Sequence, residues 1–133
     1  MYGPGPGNSY EAAYDIWTGT APAAKPDQEI MIWVDTYGQT PAGSKIASPV
    51  INGVTYGLWT GTGGDGPIAS YVAAVNMPSA ADLDVLAFLK DLVQRGWLNA
   101  GVSISQIAFG WEICSTVGVA QHFECDNYSL TIA

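Results

Sequence analysis

Positive charge is what this chain has least of. Four Lys and Arg stand against twelve Asp and Glu, giving a formal net charge of −8 and a pI near 4.1. That balance excludes partners gripped through phosphates, so neither nucleic acid nor an anionic membrane surface is expected. Long apolar runs are also missing, and none approaches the roughly 20 residues that a membrane helix needs. The opening segment to Ser9 has neither the basic start nor the apolar core of a secretory leader, so the reading is a chain that begins after a removed leader or begins late. Histidine is limited to His122, too little for a structural zinc site, which takes about four good ligands; no metal and no cofactor is expected. Cysteine is limited to Cys114 and Cys125, with ten residues between them. Their even count and spacing suit a disulfide clipping a loop, with two separate thiols as the alternative. The run from Gly61 to Gly66 lacks the Lys-Ser/Thr ending of a phosphate-binding loop.

Glycine, aromatics and alternation are what is present. At 133 residues the chain suits one domain, read here as residues 10–133 behind a flexible Gly/Pro segment at 1–9. With 16 Gly, 11% aromatic and only 12% charged residues, it reads as an all-β protein of the secreted type. Strands are expected at Tyr10–Thr18, from Glu29 onward, at 50–51 and 54–60, at Ile68–Val75, from Val102 to Ile113, and at Asn127–Ala133. Asn52-Gly53 predicts a two-residue hairpin, because both residues accept the positive φ that such a turn demands. Only Asp82 to Trp97 has helical spacing, with Leu83, Leu86, Leu89, Val93 and Trp97 on one stripe. Ser79 and Asp82 resemble a capping box there, and Gly96 is placed to end the helix. Many strands, one helix and no βαβ rhythm predict an antiparallel β-sandwich or jelly roll of the concanavalin type, carrying one amphipathic helix.

Five carboxylates fall inside strands, where a rigid scaffold can fix them: Glu11, Asp15, Glu29, Asp35 and Glu112. In the strand that opens Glu29-Ile-Met-Ile-Trp33, alternation sends Glu29, Met31, Trp33 and Asp35 to one side and Ile30, Ile32 and Val34 to the other. A carboxylate beside a Trp suits a sugar cleft, since the apolar face of a pyranose packs on an aromatic ring while acids handle the glycosidic oxygen. A surface Glu beside a half-exposed Trp is the plainer reading. Glu112 shares its strand face with Ala108 and Gly110, which leave room beside it. Trp17, Trp59, Trp97 and Trp111 read more readily as packing than as sugar platforms.

Ala13-Tyr-Asp-Ile-Trp17, Glu29-Ile-Met-Ile-Trp33, Pro41-Ala-Gly-Ser44, Ser70-Tyr-Val72 and Phe109-Gly-Trp-Glu112, in that order, resemble the landmarks of glycoside hydrolase family 12. The resemblance implies a β-jelly roll with an open cleft that cleaves internal β-1,4 bonds of glucans, with a β-glucan polysaccharide as partner and an extracellular location. By position it makes Glu29 the nucleophile and Glu112 the general acid/base, with Asp15 holding the Glu29 carboxyl group. Met31, Trp33 and Trp17 would line the substrate, and Pro41, Ala42 and Gly43 would form a loop crossing the cleft. The family retains anomeric configuration, which implies carboxyl groups about 5 to 5.5 Å apart.

The family's first strands precede the Tyr-Asp motif, which arrives here at Tyr14, so the amino-terminal part of the jelly roll is expected to be absent. A sandwich short of strands exposes edges and apolar faces. The expectation is a homodimer, a complementing amino-terminal half, or marginal stability. Two other functional readings stay open at this point: a non-catalytic carbohydrate-binding sandwich, and an inactive truncated remnant.

Overall fold

The structure is a computed structural model that describes residues 9–19, 28–63, 66–76 and 83–115, with side chains described as far as Trp111. The Gly/Pro opening, the Ser79–Asp82 capping signal, His122, Cys125 and the expected final strand lie outside those residues, as does any pairing of Cys114 with Cys125.

Seven strands and one helix are described: β1 (Ser9–Thr18), β2 (Glu29–Tyr37), β3 (Ser44–Ala47), β4 (Val50–Ile51), β5 (Val54–Gly63), β6 (Gly66–Ala73), α1 (Val85–Gln94) and β7 (Ile104–Ser115). The strands form one sheet in the order β3-β5-β6-β2-β1-β7, with β4 paired to β5. The β-rich expectation holds, with one change of topology. All pairs are antiparallel except β2 with β6, which run parallel. The sheet is therefore mixed, because the chain leaves β2, builds the β3–β5 region outside it and returns through β6 to lie beside β2.

Local chemistry accounts for the turns. Asn52 and Gly53 both have positive φ, 51° and 82°, and close the β4–β5 hairpin as the sequence predicts. The glycine-rich stretch extends the strands instead of ending them: β5 runs to Gly63, and β6 starts at Gly66 opposite it. Gly96, at φ 77°, ends α1, with the Trp97 and Leu98 amides donating to the Leu92 carbonyl.

The helix is shorter than its sequence pattern, and it is capped by Asp84, whose side chain accepts a hydrogen bond from the Ala87 amide. Its buried residues are Phe88 and Leu92, whereas Leu86, assigned to the buried stripe by spacing, is 55% exposed. The aromatic box explains the shift. Phe88 lies 5.0 Å from both Tyr56 and Tyr71, edge to face with each, and that fit sets the helix rotation. The Tyr71 hydroxyl donates to Asp91 at 2.6 Å, and Arg95 pairs with the same carboxylate at 2.9 Å, tying α1 to β6. Burial, with the Asp91 contact, pushes the Tyr71 hydroxyl well above the usual phenol range.

The main core thus fills one face of the sheet. Ile16, Ile30, Ile32, Val34, Leu58 and Ala69 meet Phe88 and Leu92 there, and Trp97 and Trp111 pack against its margin as expected. A second, smaller cluster of Ala13, Met31, Trp33 and Ile68 lies separate from it. Alternation puts that cluster on the other face, the one that carries Glu29.

Candidate active site

Residues directly opposite one another in a ladder share a face, so the register arranges the Glu29 side of the sheet in rows. One row runs Gly61, Ile68, Glu29, Trp17, Gln106. The next runs Lys45, Trp59, Ser70, Met31, Asp15, Ala108. A third runs Gly57, Val72, Trp33, Ala13, Gly110. Glu29 and Asp15 are therefore diagonal neighbours on adjacent strands, a relation that sets side-chain roots roughly 7 to 8 Å apart. Both are half-buried.

Glu29 opens β2 and needs its backbone fixed there. Thr18, fully buried, takes the Gln28 amide on its hydroxyl at 2.9 Å, and its own amide donates to the Gln28 carbonyl at 3.0 Å. The Gln28 side-chain amide donates to the Trp97 carbonyl at 2.9 Å, fastening the start of β2 to the end of the helical segment. The Ser105 hydroxyl donates to the Trp17 carbonyl at 3.1 Å and locks β7 alongside. Glu29 thus sits on a strand end tied to three neighbours, as a positioned carboxylate requires.

Met31 and Trp33, read as substrate-lining, are 8% and 3% exposed. They are the floor of the small cluster, and Ala42 packs over it. Pro41 is buried and Ala42 half-buried, so the Pro41–Gly43 loop lies down on this face. Glycine permits that approach: a Cβ on Gly43 would stand 1.9 Å from the Thr60 carbonyl oxygen, and one on Gly61 would stand 2.6 Å from the Gly43 Cα. The Trp33 indole N–H and the Ser70 hydroxyl are buried in this region with no hydrogen-bond partner among the described residues. Trp17 and Trp59 are half-buried on the same face, in the rows of Glu29 and Asp15.

Two expected placements change. Asp35 does not stay with Glu29. The β1–β2 register shifts between Ala12 and Ala13, leaving Val34 as an extra residue and setting Asp35 opposite Ala12, on the main-core face. Asp35 is 6% exposed there, and burial raises its carboxyl above the usual range against the opposing effect of a hydrogen bond from Tyr10. Burial first, then the Asp35 charge, raises Tyr10. The folded state therefore holds the Asp35 proton more tightly than the unfolded chain. The resulting stability is present below the ordinary aspartate pKa and is lost as pH rises through the raised one. Asp35→Asn keeps an acceptor for Tyr10 and removes the charge. Its melting temperature is expected to exceed the parent's at pH 7 and to converge with it near pH 3, and an offset equal at both pH values would refute the assignment.

The second change concerns the acid pair. Glu112 stands opposite Glu11 in the β1–β7 ladder, whereas Glu29 stands opposite Trp17. Those two β1 positions are six residues apart, roughly 20 Å along a strand. In the ladder the Glu112 position thus lies several rows from Glu29, and the acid position nearest Glu29 is Asp15. The fold also buries Glu11, one of the five strand carboxylates, which is 2% exposed. Its position in the Asp15 alternation was the available signal. Among the described residues no group of three or more His, Cys, Asp or Glu could hold a metal ion, and no helix is long and apolar enough to cross a membrane.

Known proteins resemble this chain in sequence and in fold. The sequence profile described as Glycosyl hydrolase family 12 matches residues 4–133. A protein of Aspergillus niger named xyloglucan-specific endo-beta-1,4-glucanase A is 39% identical over 127 residues, covering 92% of this chain and 52% of that one. Among solved structures, the family 12 xyloglucanase from Bacillus licheniformis superposes with a TM-score of 0.72 at 32% identity, over 79% of this chain and 49% of that one. The Trichoderma harzianum endoglucanase 3 superposes at 0.75 with 28% identity, over 84% and 52%. The chain spans about half the length of the relatives it matches.

Proposed function

Since the chain belongs to glycosyl hydrolase family 12, we propose that it hydrolyses internal β-1,4 bonds of glucans outside the cell, with retention of anomeric configuration. The observation that carries this reading is the placement of Glu29 on a fastened strand end, with Asp15 one row away and Trp17 beside it on a common face. In the mechanism proposed, Glu29 attacks the anomeric carbon and forms a glycosyl-enzyme, which water then releases. Asp15 orients the attacking carboxylate. The leaving oxygen needs a proton, and the family pattern gives that role to Glu112. A second reading gives it to Asp15, favoured by the register, which sets Asp15 one row from Glu29 and Glu112 opposite Glu11. Xyloglucan stands first among the substrates, on the name of the Aspergillus niger relative.

The test is release of reducing ends from xyloglucan, barley β-glucan and carboxymethylcellulose, with the anomer of the first product read by NMR. Xyloglucan or β-glucan should be cut with the β-anomer appearing first. No release from any of the three would sink the hydrolytic reading, and an α-anomer first would sink retention.

A further inference from the structure

Lys45 lies in β3, exposed, at the head of the row that continues through Trp59, Ser70 and Met31 to Asp15. Its stem has a seat. Gly57 offers no side chain, and a Cβ built there would lie 3.2 Å from Lys45 Cε, 3.7 Å from its Cδ and 3.4 Å from Trp59 Nε1. The methylenes of Lys45 therefore occupy the notch that Gly57 leaves beside the Trp59 indole, and the ammonium is presented at the end of the stem. Among the described residues no carboxylate forms an ion pair with it; the ion pair present joins Arg95 and Asp91 of the helical segment. The other described cations, Lys90 and Arg95, belong to that segment, which packs on the opposite face. The Lys45 face carries Asp15 and Glu29, and the whole chain is strongly acidic.

Such an acidic protein repels a polymer bearing carboxylates overall, and on this face a seated, unpaired cation offers the polymer a local point of attachment. Lys45 is three strands from Met31, roughly 14 Å at ordinary strand spacing, so a charge held there belongs to a sugar unit removed from the bond being cut. We infer that Lys45 and Trp59 form a distal subsite that selects β-glucans carrying carboxylate substituents. Trp59 offers an apolar surface to the ring and Lys45 a charge-assisted hydrogen bond to the acid. This inference rests on the β-glucan reading above.

The experiment reads binding without turnover: retardation of the full chain in native gels containing carboxymethylcellulose or neutral barley β-glucan. Lys45→Gln should weaken the carboxymethylcellulose interaction roughly three- to fivefold and leave the neutral glucan within twofold. Lys45→Arg should preserve both, and about 0.5 M salt should erase the difference between parent and Lys45→Gln on the charged polymer. Equal weakening on both polymers, no effect on the charged one, or no retardation of the parent by it overturns the subsite. Binding of this kind with no cleavage of any glucan would instead uphold Lys45 and count against hydrolysis.

Discussion

Glu29→Gln is expected to cut glucan hydrolysis by roughly 10³-fold or more while leaving the thermal midpoint within a few degrees of the parent. The size of the loss follows from the role. An amide of the same shape cannot attack the anomeric carbon, so no glycosyl-enzyme forms, whereas loss of a merely helpful hydrogen bond costs far less. Retained stability follows from the surroundings: Glu29 is half-buried at a strand end held by the Thr18 hydroxyl and amide bonded to the Gln28 backbone, which the substitution leaves alone. Two companion variants decide the proton donor. An aryl glucoside with a good leaving group needs no proton to depart, so the variant of the acid keeps activity on it while losing activity on glucan. Glu112→Gln showing that split places the donor at Glu112 and requires β7 to engage differently when substrate binds. Asp15→Asn showing it, with Glu112→Gln near parent rates on both, makes Asp15 the donor. Near-parent glucan cleavage by Glu29→Gln ends the nucleophile assignment.

The place of Glu112 is something that strand alternation leaves open. Alternation in Ile104–Ser115 fixes which positions share a face, and Ile107, Phe109 and Trp111 do pack on the main core as their parity requires. Yet a period of two is blind to a slip by two, four or six residues, since every such slip leaves each face unchanged. Whether Glu112 meets Trp17 or Glu11 is therefore absent from the pattern and is set by ladder contacts elsewhere. Asp35 fails for the opposite reason: one extra residue at Val34 reverses the parity, and nothing in Trp33-Val34-Asp35 announces a bulge. The parallel β2–β6 pair is illegible because alternation names faces, not neighbours. What could be read was local chemistry: the Asn52-Gly53 turn, the Gly96 stop, and the face shared by Glu29, Met31 and Trp33.

Gly43→Ala is expected to destabilise the protein by roughly 3 kcal/mol, more than backbone strain alone accounts for. Gly43 has φ 86°, and Gly53 has φ 82°, so the conformational penalty for a side chain is nearly the same at both, about 1 to 2 kcal/mol. Their surroundings differ. A Cβ on Gly53 meets nothing within 4 Å, whereas one on Gly43 would overlap the Thr60 carbonyl at 1.9 Å and the Gly61 Cα at 2.6 Å, both backbone of β5, a strand paired on both sides. The strand cannot yield without breaking its pairing to Ile68 and Ala69 in β6, so the loop must lift. Lifting uncovers the Met31 and Trp33 floor on which Ala42 packs, which adds the loss of apolar burial to the strain. The difference between Gly43→Ala and Gly53→Ala in denaturant midpoint therefore isolates the docking of the Pro41–Gly43 loop. Enhanced quenching of Trp fluorescence by acrylamide in the Gly43 variant, and not in the Gly53 variant, would identify the exposed floor. Equal destabilisation by both, with quenching unchanged, would mean that the loop does not hold Trp33 covered.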